Sequence, residues 1–236
     1  MDEIDWARYA LDYDAMCEAN PAYQENIQLL KDRVGNWQLS TPPQVLDIGA
    51  GTGNYTSVLG DILVGARFTH LDSNALMNTQ ALIKYRLQGL KVEVIQNTLR
   101  DALLAVGSQD LVICVNALYA MPHPHAMLRK IRRVTKRGGK LFIIDFGRPM
   151  DVGKWSMFML KSLVKQHGVR GALAWFWRYR EVLKQNRIGL QAQRQGSYWL
   201  HSPTEFADAL ERTGWHIEEI ATCYQGYCDL AVCRAD

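Results

Sequence analysis

The sequence predicts an α/β fold built on a mostly parallel sheet, and three observations carry that prediction. Five short apolar runs, at 45–48, 66–71, 92–96, 110–115 and 140–145, are separated by polar and helix-patterned stretches, as expected of strands joined by helical crossovers. The first run, Val45, Leu46 and Ile48, breaks at once into glycines at 49, 51 and 53. A chain of 236 residues with 48% hydrophobic and 22% charged content has ordinary globular composition and enough length to bury a proper core.

Glycine at alternate positions lets the backbone take positive φ and leaves no Cβ between the loop and a ligand. The loop follows the carboxyl end of a strand, where open α/β sheets place their ligands. A dinucleotide site would present G-x-G-x-x-G to a pyrophosphate at a helix N-terminus. Here the third glycine comes one residue early and Asn54 follows it. A carboxylate at Asp47 would repel a pyrophosphate and attract a ligand that carries an ammonium and a sulfonium. Turns also use glycine for purely structural reasons.

The run from Asp47 to Gly53, D-x-G-x-G-x-G after a strand, resembles the first motif of class I S-adenosylmethionine-dependent methyltransferases. The resemblance implies a Rossmann-like three-layer sandwich with a seven-stranded, mostly parallel sheet and an antiparallel C-terminal strand. It also implies S-adenosyl-L-methionine as cofactor, with S-adenosyl-L-homocysteine as product, held by Asp47, Gly49, Ala50, Gly51 and Gly53.

The second run leads into Asp72. An ionised carboxylate is acceptor-only and suits both ribose hydroxyls; the alternative is a helix N-cap, since Asp72, Ser73 and Asn74 are all good capping residues. On the family pattern Ser73 and Met77 flank the adenine, although a Met there also suits a core. After the third run stand Asn97 and Thr98. The family often has Gly-Asp at this point, with the acid accepting from the adenine amine, and the Asn97 carbonyl can accept the same bond.

The fourth run continues into Asn116-Ala117-Leu118-Tyr119-Ala120-Met121-Pro122-His123-Pro124. This stretch resembles the Leu-Tyr-His-x-Pro-Asp-Pro segment of ubiquinone and menaquinone biosynthesis methyltransferases. Ala120 stands where that family often has His, and His123 where it often has Asp, so no acid/base role carries over to position 120. Asn116 joins the expected cofactor residues. An amphipathic helix over 128–134 then ends at Thr135–Gly139, with basic residues at the negative helix end and glycine as a left-handed cap. The fifth run follows as a strand.

Residues 6–38 carry helical patterning with Trp6, Tyr9, Tyr13, Tyr23 and Leu29. In related enzymes an N-terminal helix covers the cofactor and an aromatic such as Tyr13 faces it; plain packing of an apolar helix face on the sheet is the other reading. The stretch 146–202 is too long for a simple crossover and is rich in Trp, Phe, Tyr and Met. Two helices are expected there, at about 152–166 and 170–186, forming a cap of the kind that lines small-molecule pockets. The chain returns at Ser202-Pro203-Thr204-Glu205, a helix start, and strands at 215–222 and 227–234 close the sheet. The expected organisation is an N-terminal segment at 1–43, a cofactor-binding core at 44–148 and 203–236, and a substrate cap at 149–202. Tyr119, His123, Tyr198 and His201 are the polar groups expected near the transferred methyl, each of which also fits a structural role.

No apolar run approaches the ~20 residues of a membrane span, and the acidic start Met1-Asp2-Glu3-Ile4-Asp5 is unlike a signal peptide. Cysteines 17, 114, 223, 228 and 233 lack C-x-x-C spacing, which suits thiols in a reducing cytoplasm and argues against a metal site. The net charge of +3 is mild, with basic clusters at 129–140 and 178–194, and a nucleic-acid partner is disfavoured. The leading expectation is a cytoplasmic methyltransferase, monomer or homodimer, acting on a small, partly apolar or aromatic metabolite, with O- or N-methylation ahead of C-methylation. The alternatives are an RNA or tRNA methyltransferase, because Asn116 and Tyr119 match the ends of an Asn-Pro-Pro-Tyr motif that lacks its prolines here, and a non-catalytic cofactor-binding partner protein.

Overall fold

The computed structural model describes residues 5–236, apart from the side chains of Ala7, Glu181 and Val182. The Met1–Ile4 part of the acidic start lies outside the described residues. The helical patterning of 6–38 resolves into α1 (Trp6–Ala10), α2 (Tyr13–Ala19) and α3 (Pro21–Val34). Asn20 starts α3 by accepting from the Ala22 and Tyr23 N–H groups, and Pro21 occupies the first helical position, where its missing N–H costs nothing.

The core alternates β1 (Gln44–Ile48), α4 (Asn54–Ile62), β2 (Arg67–Asp72), α5 (Ala75–Leu87), β3 (Val92–Gln96), β4 (Gln109–Val115), α6 (Pro124–Val134) and β5 (Thr135–Phe146). After α7 (Val152–Arg178) and α8 (Arg180–Arg194) come α9 (Pro203–Arg212), β6 (Trp215–Cys223) and β7 (Cys228–Ala235). The seven strands form one sheet in the order β3-β2-β1-β4-β5-β7-β6. Strands β1 to β5 are mutually parallel, and β7 pairs antiparallel with both β5 and β6. This is a Rossmann-like sandwich. The order reverses at β1, so the ligand crevice of the fold opens between the ends of β1 and β4.

Alternation along each strand sorts the core onto two faces. Leu46 and Ile48 of β1 pack with Leu128 and Ile131 of α6 and Phe206 and Leu210 of α9. Val45 turns the other way, toward Ile27 and Leu30 of α3 and Leu59 of α4. Truncating a fully buried leucine such as Leu46 to Ala would cost about 2–5 kcal/mol.

Three local expectations change and one holds. The helix predicted over 128–134 starts earlier, because Pro124 supplies its first turn. It ends at an extended Thr135 rather than on a left-handed glycine; Thr135 pairs with Gln109, and the positive φ of Gly138 serves the irregular stretch before the main β4–β5 register. The first helix expected at 152–166 does break near its predicted end, at Gly168 (φ 68°, ψ 175°). The second does not run unbroken over 170–186: the chain leaves helical geometry at Tyr179, and α8 continues to Arg194. Start signals behave better. Ser202 and Glu205 form a reciprocal capping box at α9, with Pro203 at the first position.

All five cysteines are free thiols, and the described residues contain no cluster of three His, Cys, Asp or Glu side chains able to hold a metal. Among them no helix is long and apolar enough to cross a membrane.

Candidate active site

The loop after β1 takes its shape from two glycines that no other residue fits. Gly49 (φ 64°) lies against Ala117, and Gly53 (φ 78°) lies against the Tyr85 hydroxyl, so a Cβ at either position would collide. Tyr85 is itself fixed from beneath. Its hydroxyl is 2.8 Å from His70 Nδ1, while His70 Nε2 is 2.8 Å from Asn78 Oδ1. An amide oxygen only accepts, so Nε2 carries the proton and Nδ1 accepts from Tyr85. Burial depresses the His70 pKa and favours this neutral ring. No sequence signal pointed to His70 or Tyr85.

Gly51 (φ 56°) differs, because a Cβ there would meet only open space. It lines a cavity of about 560 Å³. Its N–H donates to Asp72 Oδ2 at 2.9 Å, and Asp72 Oδ1 accepts from the Asn74 N–H at 2.8 Å. The N-cap of α5 is Asn74, which accepts from Leu76 and Met77. The capping reading therefore falls to Asn74, and Asp72 is left on the cavity wall with lone pairs to spare.

The cavity brings together Tyr13, Gly49, Gly51, Asp72, Ser73, Met77, Asn116, Tyr119 and Tyr198 from the sequence-derived set. Asn116 reaches the wall through a left-handed backbone (φ 51°) at the end of β4. Tyr119 meets Tyr198 edge-on at 4.9 Å and Phe146 at 5.2 Å. Burial holds the Tyr119 hydroxyl far above its ordinary pKa, so it stays a neutral phenol.

Other expected residues lie elsewhere. Asp47 does not reach the cavity wall. Strand parity turns it beneath the loop, where it is 3% exposed and accepts from Thr56 Oγ1 at 2.8 Å. Desolvation raises its pKa to about 7. The expected direct attraction of an ammonium by this carboxylate is thus replaced by a place under the loop. Ala50 and Gly53 shape the turn without lining the cavity. Asn97 and Thr98 are exposed and off the wall; Asn97 Oδ1 accepts from the Thr98 N–H, and Thr98 Oγ1 donates to Asp101.

Neither histidine expected near the methyl sits there. His123 is an exposed left-handed residue (φ 54°) at the start of α6. His201 is buried away from the cavity, stacked on Phe206 at 4.4 Å, with Nδ1 3.5 Å from Asp229 Oδ2. Its backbone N–H donates to the Gly147 carbonyl, which sets the ring on the α9 side of the sheet.

The rest of the wall was not assigned from sequence. Tyr224, in the turn between β6 and β7 (φ 52°), accepts from Asn20 Nδ2 at 2.6 Å and stacks on Trp155 at 4.9 Å. Asn186, Arg187 and Gln193 of α8 add polar groups. Tyr9 donates to Asn186 Oδ1 at 2.6 Å and so ties α1 to α8. Aromatic composition hinted at these walls. Which rings converge depends on how α7 and α8 fold back, and that has no local sequence signature.

Residues 46–143 match a family model described as a methyltransferase domain. The chain carries a class I methyltransferase domain. That stretch holds the glycine loop, Asp72 and Tyr119. A ubiquinone biosynthesis O-methyltransferase from Pseudomonas savastanoi pv. phaseolicola is 28% identical over 140 residues, 58% of each chain. A phthiotriol/phenolphthiotriol dimycocerosates methyltransferase from Mycobacterium leprae is 28% identical over 123 residues, 52% of this chain and 45% of the relative. The chain thus spans only about half the length of these curated relatives. The solved structure of a SAM-dependent methyltransferase from Aquifex aeolicus superposes with a TM-score of 0.59, covering 87% of this chain and 89% of that one at 19% identity, a likeness of fold. The match ends before α7 and α8, so it does not describe the part of the cavity wall that these helices supply.

Proposed function

We propose that the protein transfers a methyl group from S-adenosyl-L-methionine to a small, partly apolar or aromatic metabolite. The observation that carries this reading is one continuous cavity that joins Gly51 and Asp72 to the α7 aromatics Trp155, Trp175 and Phe176 and to the aliphatic and polar side chains of α8. The residues present fit the cofactor: Gly51 leaves open space where a Cβ would stand, and Asp72 offers carboxylate lone pairs beside it. Gly49, Gly51, Asp72, Ser73, Met77 and Asn116 would hold the nucleoside and amino-acid parts, with Tyr13 of α2 over them. When bound, the cofactor supplies an electrophilic methyl on a sulfonium.

The chain's own contribution is alignment and exclusion of water. Residues 149–202 act as the substrate cap in this reading, and residues before β1 as the cofactor cover. Among the described residues the cavity wall has no His, Glu, Lys or Cys; its ionisable groups are Asp72, Arg187 and tyrosines. The buried phenols of Tyr9, Tyr13 and Tyr119 are held protonated by desolvation. An acceptor suited to this wall brings its own nucleophile, as an acidic phenol or a neutral amine does, rather than a hydroxyl that needs a strong base.

Calorimetry with S-adenosyl-L-methionine tests the cofactor half. Binding at micromolar-to-millimolar concentration supports it, and no heat over that range overturns it. Incubation with cell extract and labelled cofactor, followed by mass spectrometry, tests the transfer. A labelled small molecule supports the reading, and label confined to RNA overturns it.

A further inference from the structure

The second half of α7, after the break at Gly168, is apolar on two opposite sides. Ala172, Trp175 and Phe176 face inward, packed with Ala19 and Leu163. Val169, Leu173 and Trp177 recur every four residues, so they share the outer face. They are 64%, 63% and 74% exposed. A helix apolar all round needs a second apolar medium, and one ridge of large exposed side chains marks an interaction surface.

Charge selects the medium. Residues 149–202 contain nine Lys or Arg and two Asp or Glu, a net charge of +7, although the whole chain is only +3. The remainder of the chain is therefore −4, and the molecule is strongly polarised. Arg170, Arg178 and Arg180 flank the ridge and are exposed. Arg180 lies 5.4 Å over the Trp177 ring, so cation and indole are presented together. Trp and Leu beside exposed Arg is the pattern of a helix lying in the interface of an anionic bilayer, with rings at headgroup depth and cations on lipid phosphates. A nucleic acid would use the charge and leave Val169 and Leu173 in water. A second copy would bring a +7 segment against its like.

We infer that the Val169–Leu173–Trp177 ridge, with its flanking arginines, docks the protein on an anionic lipid surface. None of these six residues lines the cavity. Among the described residues no helix is long and apolar enough to span a membrane, so the proposed contact is peripheral and reversible. Resting on the methyl-transfer reading, it also places a cavity wall, through Trp175 and Phe176, within about one helix diameter (~10 Å) of the bilayer. That favours an apolar acceptor drawn from the lipid phase.

Co-sedimentation of the full chain with vesicles tests the docking without using catalysis, so its failure is distinct from failure of methyl transfer. The expected result is sedimentation with vesicles containing about one third phosphatidylglycerol, little with pure phosphatidylcholine, and release at ~0.5 M salt. The triple variants V169S/L173S/W177S and R170E/R178E/R180E should each lower the bound fraction about tenfold, with circular dichroism and S-adenosyl-L-methionine binding unchanged. No sedimentation, or equal sedimentation with both vesicle types, overturns the proposal. So does full binding by the serine variant, salt-sensitive retention of an RNA oligonucleotide that the serine variant keeps, or a micromolar dimer that the serine variant dissolves.

Discussion

Asp14 on α2 accepts a hydrogen bond from Thr52 in the glycine loop at 2.5 Å, and its second oxygen lies 2.9 Å from Lys84 Nζ on α5. One side chain thus ties the N-terminal helices to the loop and to the helix that carries Met77. Charge-assisted bonds of this kind are worth about 1.5–3 kcal/mol when partly shielded from water. Asp14→Ala should therefore raise the dissociation constant for S-adenosyl-L-methionine roughly tenfold, with turnover at saturating cofactor little changed. Asp14→Asn keeps the Thr52 contact and should recover part of the loss. Calorimetry and a kcat-against-KM comparison read both, and an unchanged affinity in Asp14→Ala would show that α2 does not close the site.

Asp72 should be the most costly single loss for the cofactor. It holds the Gly51 and Asn74 N–H groups and keeps lone pairs for a ribose. Asp72→Ala releases the loop and removes the acceptor together, so affinity should fall about a hundredfold, roughly 2.7 kcal/mol. Asp72→Asn retains one carbonyl acceptor and should fall in between. Equal binding by wild type and Asp72→Ala in calorimetry would remove this residue from the site.

Asp47 makes a prediction about pH. Its folded pKa of about 7 stands above the ordinary carboxylate value because burial disfavours the charge. The folded state therefore binds this proton more tightly than the unfolded chain does. The stability contributed by the protonated group is full below the unfolded pKa near 3.8 and is lost as pH rises through about 7. Asp145, buried with its carboxyl also pushed up, acts in the same direction. Asp47→Asn cannot ionise and still offers Thr56 an acceptor. Its thermal stability relative to wild type should climb between pH 4 and pH 8, and parallel melting curves across that range would contradict a protonated Asp47.

The parts of this molecule that were legible in the sequence are those in which function and local geometry use the same residues. Gly49 and Gly53 had to be glycine for packing against Ala117 and Tyr85, and the loop they shape also lines the cavity through Gly49 and Gly51, so a short motif exposed both. Asp47 was legible as a motif residue but not as a buried one, because neighbours on a strand face opposite sides and the motif does not say which side meets the ligand. His201 looked chemically equipped, yet its ring is spent on Phe206. Tyr224 and Trp155 were invisible as partners, since their stacking joins residues far apart in the chain. Nothing local encodes such a contact.

His123 offers a test of the difference between chemical equipment and position. Its left-handed backbone (φ 54°) is costly for a side chain bearing a Cβ and free for glycine. His123→Gly should stabilise the fold by about 1 kcal/mol and leave methyl transfer unchanged, because the ring is exposed and off the cavity wall. Differential scanning calorimetry and a rate measurement read the two effects separately. A large loss of kcat would return His123 to the chemistry.

Tyr119 and Tyr198 meet edge-on at 4.9 Å inside the cavity, with Phe146 completing the wall beside Tyr119. A general base there would contribute about 10²–10⁴-fold to the rate. The buried Tyr119 hydroxyl resists ionisation, so its part is to present a ring and a neutral phenol. Tyr119→Phe keeps the ring contacts and should lower kcat by less than about tenfold, with no shift in the pH profile. Tyr119→Ala opens a gap against Tyr198 and should raise the acceptor KM as well as slow turnover. A fall of a thousandfold in Tyr119→Phe, with loss of the rise in rate with pH that ionisation of a base produces, would identify the phenol as the base and reverse the reading of the wall.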